Sequence, residues 1–129
     1  MQRILAVVAA VVLTGLFAAP ASADDAADCA YVTQIVAENN RDAPYMADTV
    51  TRSETASHDC VAKVVSFNWT ITINTADLAP DWQQVVRANF EAGVCGEQRI
   101  ADIVKSGWRL MATWVTADNA RFATEVVCS

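Results

Sequence analysis

The sequence predicts an exported α+β domain. It would be a four-stranded antiparallel sheet with helices on one face, in the order α-β-β-α-α-β-β, held by two disulfides. Three observations carry this. First, Val61–Asn74 alternates cleanly, with Val65, Phe67, Trp69, Ile71 and Ile73 on one side and Ser66, Asn68, Thr70, Thr72 and Asn74 on the other. A period of two in β-branched and aromatic residues marks a strand with one buried face. Second, alternation returns only at the end of the chain, after two stretches of helical period. Third, all four cysteines follow an N-terminal export signal, and an even cysteine count in an exported chain implies disulfides.

The signal spans Met1–Ala23: a basic Arg3, an apolar run from Ile4 to about Ala19, and the small-residue close Ala21-Ser22-Ala23. The run is marginal for a membrane span of ~20 residues. Cleavage after Ala23 leaves Asp24–Ser129 as one domain. The first cysteine, Cys29, is not at the cleavage site and is preceded by Asp28, so neither a lipid anchor nor stable membrane insertion is expected after processing. The expected location is the periplasm or the medium. Loss of Arg3 moves the formal net charge one unit below the −6 of the full 129-residue chain, since every acidic residue is retained. Such an acidic protein repels nucleic-acid phosphate and anionic lipid.

Asp25–Asn40 reads as the first helix, with Cys29, Val32, Ile35 and Val36 at helical spacing and Asp24, Asp25 and Asp28 at the positive end of its dipole. Asn39-Asn40 is expected to end it, and Arg41–Pro44 to turn. Asp48–Ser57 is rich in Thr and Ser and suits a polar edge strand. Ser57-His58-Asp59 then forms the turn into the central strand. Pro80 and Asp81 open a helix whose stripe is Trp82, Val85, Val86, Asn89 and Phe90, broken at Gly93. A second helix runs from Gly96 to Ser106, with Ile100, Ile103 and Val104 inward and Gly107 as its C′ residue. Trp108–Thr116 alternates, with Trp108, Leu110, Ala112 and Trp114 on one face and Arg109, Met111, Thr113 and Val115 on the other. Arg121–Cys128 returns as the last strand of a hairpin. Phe67, Trp69, Ile71, Trp82, Phe90, Trp108, Leu110 and Trp114 are the expected core. The four cysteines allow three pairings; Cys29–Cys60 with Cys95–Cys128 is preferred, each closing a loop of about 30 residues and adding on the order of 3 kcal/mol.

Few constellations carry chemistry. His58 is the single histidine and stands between Ser57 and Asp59. Three consecutive residues in a turn do not converge as a Ser-His-Asp triad must, so the histidine reads as a solvated turn residue. There is no Cys-x-x-Cys and no second histidine, and disulfide-bound cysteines are not thiolate ligands, so no metal or cofactor is implied. The carboxylate pairs Asp48 with Glu54 and Asp77 with Asp81 are the only acid–base candidates, in a chain where chance pairs are expected. The row Ser66, Asn68, Thr70, Thr72, Asn74 is either the wet face of a sheet or a binding face. Asn68-Trp69-Thr70 fits a glycosylation sequon, but in mid-strand. Trp69, Trp108 and Trp114 share faces with aliphatic residues, which favours core over sugar stacking.

The succession of Asn39-Asn40, Pro44-x-Met46-x-Asp48, a strand hairpin, Cys95, a short helix ending at Gly107, a last hairpin and a terminal Cys128 resembles the small exported α+β pilotins of type II secretion. Pilotins are usually lipid-anchored, and this chain departs from them in lacking the lipidation cysteine. The resemblance implies a non-catalytic role in binding a partner protein. From the residues themselves, the leading reading is a non-catalytic exported module that binds another exported or envelope protein, or a small ligand. The alternatives are a small hydrolase using Asp48, Glu54 and Asp77, and a subunit or assembly factor of a secretion or envelope complex.

Overall fold

A computed structural model describes residues 23–129, so the expected signal peptide, except for its last residue Ala23, lies outside the described residues. The elements are α1 (Ala23–Asp42), β1 (Tyr45–Met46), β2 (Thr51–Ser53), β3 (Ser57–Asp59), β4 (Val64–Ile71), a 3-10 turn (Thr75–Asp77), α2 (Trp82–Cys95), α3 (Gln98–Lys105), β5 (Arg109–Val115) and β6 (Arg121–Glu125). The class is α+β, with the helices packed on one face of a single sheet. Both disulfides are present, Cys29–Cys60 and Cys95–Cys128.

The sheet differs from the expected one in size and sense. Among the described residues it has six strands in the order β1-β2-β4-β5-β6, with β3 also paired to β4. β4 and β5 are parallel, from Val64 opposite Arg109 to Thr70 opposite Val115; the other pairings are antiparallel. A parallel neighbour requires a crossover that carries the chain back to its starting end. α2 and α3 supply it, so the terminal hairpin docks beside β4 in the same sense.

The polar stretch Asp48–Ser57, expected as one strand, holds only β2 and the first residue of β3, with β1 just before it. Ala47 N–H donates to the Thr51 carbonyl (2.8 Å), and Asp48 Oδ1 accepts from the Val50 and Thr51 amides (2.9 and 2.7 Å), making the turn of a small β1–β2 hairpin. β2 and β3 then lie end to end along one edge of β4. Ser53 faces Trp69 while Ser57 faces Ser66, so four steps on the edge oppose three on β4. The extra residue is a bulge, and it reverses the alternation. Ser57-His58-Asp59 is therefore strand, not turn; the turn follows at Cys60–Lys63, with Lys63 at φ 56°.

Two helix ends are also corrected. Asn39-Asn40 does not terminate α1, which runs on to Asp42. Both asparagines instead clamp the bulge: Asn39 Nδ2 donates to the Glu54 carbonyl (2.9 Å), while Asn40 donates to the Ala56 carbonyl (2.9 Å) and accepts from the Ala56 amide (2.7 Å). Gly93 does not break α2, which continues to Cys95. An interior glycine costs about 1 kcal/mol relative to alanine. Phe90 and Val94 packing on the core, with the Cys95 bridge, outweigh it. Gly107, at φ 109°, follows α3 in the left-handed region as expected.

The core lies on the inner face in two clusters, with Phe90 packed against both. Val32 and Val36 of α1, Ile103 of α3, and Trp108, Leu110, Val65 and Val126 form one end. Ile71, Trp82, Ala112 and Trp114 form the other, with Trp69, Val86, Phe90 and Phe122 against them. The parallel register sets Trp69 opposite Trp114, and the last hairpin sets Trp114 opposite Phe122. The three rings stack in one cross-strand row, at centroid distances of 4.9 and 5.8 Å. Phe90 meets Trp69 and Trp114 edge-on, and Trp82 meets Phe122 edge-on. Both are favoured aromatic geometries. Ala112, two residues before Trp114 and on the same face, is fully buried.

Candidate functional site

Alternation decides the fate of the histidine cluster. His58 pairs with Val65 on the helix-covered face, whereas Ser57 and Asp59 pair with Ser66 and Val64 on the opposite face. His58 Nε2 is 2.9 Å from Thr33 Oγ1 of α1, and Asp59 Oδ1 accepts from the Val61 and Ala62 amides (2.9 and 3.0 Å). The three side chains do not converge. His58 joins α1 to the sheet rather than standing in a solvated turn.

The carboxylates are likewise occupied locally. Asp48 is held in the β1–β2 turn, and the Val50 amide foremost lowers its pKa, opposed by desolvation and aided by the Thr51 donors. Glu54 lies past the end of β2. Its Oε2 accepts from Thr70 Oγ1 and from Arg52 Nε, both at 2.7 Å, which hold its pKa below the usual range, the Thr70 bond foremost. Asp77 closes the 3-10 turn and Asp81 precedes α2; both are exposed. Among the described residues no cluster of His, Cys, Asp and Glu is placed to hold a metal ion.

The row read as either a wet face or a binding face divides. Asn68 Nδ2 donates to the Thr55 carbonyl (3.1 Å), Thr70 donates to Glu54, and Thr72 Oγ1 donates to the Val50 carbonyl (3.1 Å). These side chains stitch β4 to its edge strands. Thr72 and Asn74 lie beyond the end of β4. What faces outward is a grid set by the parallel register: Ser66 beside Met111, Asn68 beside Thr113, Thr70 beside Val115. β6 continues it with Glu125, Ala123 and Arg121. Met111, Thr113 and Val115 are half-buried by their neighbours in the sheet. The contribution of β5 was legible as an apolar second face, but not its position beside the β4 row.

Two charged joints went unpredicted. On α1 the buried Asp28 accepts from Arg99 Nη1 (2.8 Å) and Ser106 Oγ (3.1 Å), and the Arg99 guanidinium lies 5.2 Å from the Tyr31 ring centroid. This pair ties α1 to α3 beneath a depression of about 250 Å³ lined also by Asp24, Ala27 and Asp102. Asp118, between β5 and β6, accepts from Thr116 Oγ1 (2.6 Å) and from the Thr75 amide and hydroxyl (3.0 and 2.9 Å). These donors, the Thr116 hydroxyl foremost, lower its pKa to about 2 from a usual 3.8. A carboxylate with a depressed pKa stabilises the fold above its unfolded pKa and loses that contribution as pH falls through the folded value. Urea melts between pH 4 and pH 2 are therefore expected to show a steeper loss of stability in the wild-type protein than in Asp118→Asn. Parallel curves for the two proteins would contradict this role.

No protein-family model matches the chain, and no curated protein matches it in sequence. Solved structures do match in fold. The chain is similar to a candidate secreted protein of Pseudomonas aeruginosa at 13% identity and a TM-score of 0.58, over 81% of this chain and 95% of that one. It is similar also to EpsS, the pilotin of the Vibrio vulnificus type 2 secretion system, at 7% identity and a TM-score of 0.60, over 80% of this chain and 90% of that one. At these identities the likeness is one of fold.

Proposed function

We propose, from the fold shared with a secretion-system pilotin, that this chain is an exported, non-catalytic module that binds another envelope or secretion protein. Two disulfides support an oxidising location outside the cytosol. No helix among the described residues is long and apolar enough to cross a membrane. The observation that carries the proposal is the bare sheet face. All-parallel sheets are covered on both sides; in this mixed sheet the parallel β4–β5 pair is covered, among the described residues, by helices on one side alone, with Met111, Thr113 and Val115 down the middle of the other. Sheet hydrogen bonds give that face a fixed shape, so a partner would bind with little ordering cost.

The test is capture from periplasm or culture medium with the purified mature domain, set against Thr113→Arg. A long charged side chain at the centre of the face is expected to reduce capture of the same identified protein at least roughly tenfold, the effect of about 2 kcal/mol or more that a hot spot near an interface centre carries. Circular dichroism should show an unchanged fold. Equal capture by both proteins would remove the face from the reading, and turnover of a defined substrate by the domain would overturn the non-catalytic assignment.

A further inference from the structure

The edge of the sheet that the last strand leaves open has a sequence that complements itself. β6 has one strand neighbour, β5, among the described residues. The Val126 amide donates to the Leu110 carbonyl and the Thr116 amide to the Ala120 carbonyl, both at 2.9 Å. Even-numbered residues of β6 thus spend their backbone groups on β5, by the alternation of an antiparallel pair. The N–H and C=O groups of Arg121, Ala123 and Glu125 point the other way, off the edge, and all three residues are exposed. The run ends at Val127, whose amide lies 3.4 Å from Glu91 Oε2, and at the Cys95–Cys128 bridge.

Open edges are normally blunted by charge. Here the two charges are opposite in sign and symmetric about Ala123. When a second β6 is laid antiparallel against the first with a twofold axis at Ala123, Ala123 meets its own copy and Arg121 meets Glu125. The backbone groups that point outward belong to these same residues, so each facing pair exchanges both of its hydrogen bonds. The small Ala123 allows close approach on the axis. Arg121 makes no ion pair among the described residues. Glu125 uses Oε1 toward Arg109, at 3.3 Å from Nη2, leaving Oε2 for a second cation. A shift of register by two residues puts Arg121 opposite Ala123 and loses both ion pairs, so the charges also select the alignment. We infer that β6 is a self-association edge, joining two copies of this chain into one continuous sheet through Arg121, Ala123 and Glu125. An isologous twofold contact of this kind closes on itself and does not propagate into fibres. The inference is independent of the partner-binding reading, which rests on the face and not the edge.

Sedimentation equilibrium of the mature domain at low ionic strength, over a wide concentration range, tests it. A monomer–dimer equilibrium weakened by salt is expected. Ala123→Pro removes only the outward N–H at the axis, a site where an edge strand tolerates proline, and should abolish the dimer. Arg121→Glu and Glu125→Arg should each raise the dimer Kd about tenfold or more through two like-charge pairs. An equimolar mixture of those two variants should restore association, because every facing pair is again of opposite sign. Should Ala123→Pro fail to fold, the charge variants and their mixture decide the matter. A monomer at all concentrations, or a dimer indifferent to these changes, overturns the inference.

Discussion

Replacing Cys29 and Cys60 together by alanine is expected to destabilise the domain by about 3 kcal/mol, with a range of about 2–5 for native bridges of small exported proteins. The bridge spans 31 residues and joins the first turns of α1 to the turn before β4. Its loss frees the denatured chain and also removes the covalent tie at that end of α1. At the far end the helix is still held by Asn39 and Asn40, and along its length by Val32, Val36 and the Asp28–Arg99 pair. The variant should therefore fold, with a lower urea midpoint and with amide exchange accelerated first near Cys29. A midpoint unchanged from wild type would show that packing alone secures α1.

Trp114→Ala is expected to be the most damaging single substitution away from the cysteines, costing about 3–5 kcal/mol as large-to-small changes of buried aromatics do. Trp114 is 4% exposed and stacks on both Trp69 and Phe122, with Phe90 edge-on above it. Each such aromatic pair adds about 0.5–1.5 kcal/mol beyond simple burial. The deletion also leaves a cavity between two strands and α2, and Ala112 is too small to fill it. Trp114→Phe should recover much of the loss by keeping a ring in the row. Urea denaturation followed by tryptophan fluorescence and circular dichroism gives both values. A cost near 1 kcal/mol for the alanine variant would place the weight of the core elsewhere.

Several features were legible because local residues alone fix them. The alternation of Val65 to Ile73 named the central strand and its buried face. The stripe of Val32 and Val36 named α1, and Gly107 named the end of α3. The expected core residues all lie in or against the two clusters that the structure builds. The edge of the sheet was not legible. A single extra residue between Ser53 and Ser57 reverses which side chains face inward, and the sequence shows only an unbroken polar run. His58 thereby passes from an expected solvated turn to a contact with α1. Asn39-Asn40 looked like a stop signal because these side chains often bond their own backbone. Here the backbone of the bulge offers them better partners.

The candidate face divides in the same way. The sequence by itself determined that β4 and β5 each have an apolar and a second, more polar side, because a strand's side chains alternate whatever its neighbours. It also determined the helix-covered side, since that is where the large aromatics fall. Tertiary structure alone decided that β5 lies beside β4 in the parallel sense, at the register that sets Met111, Thr113 and Val115 next to Ser66, Asn68 and Thr70. That register depends on where two crossover helices return the chain. Side-chain period within a strand carries no information about which strand it will meet, or from which end.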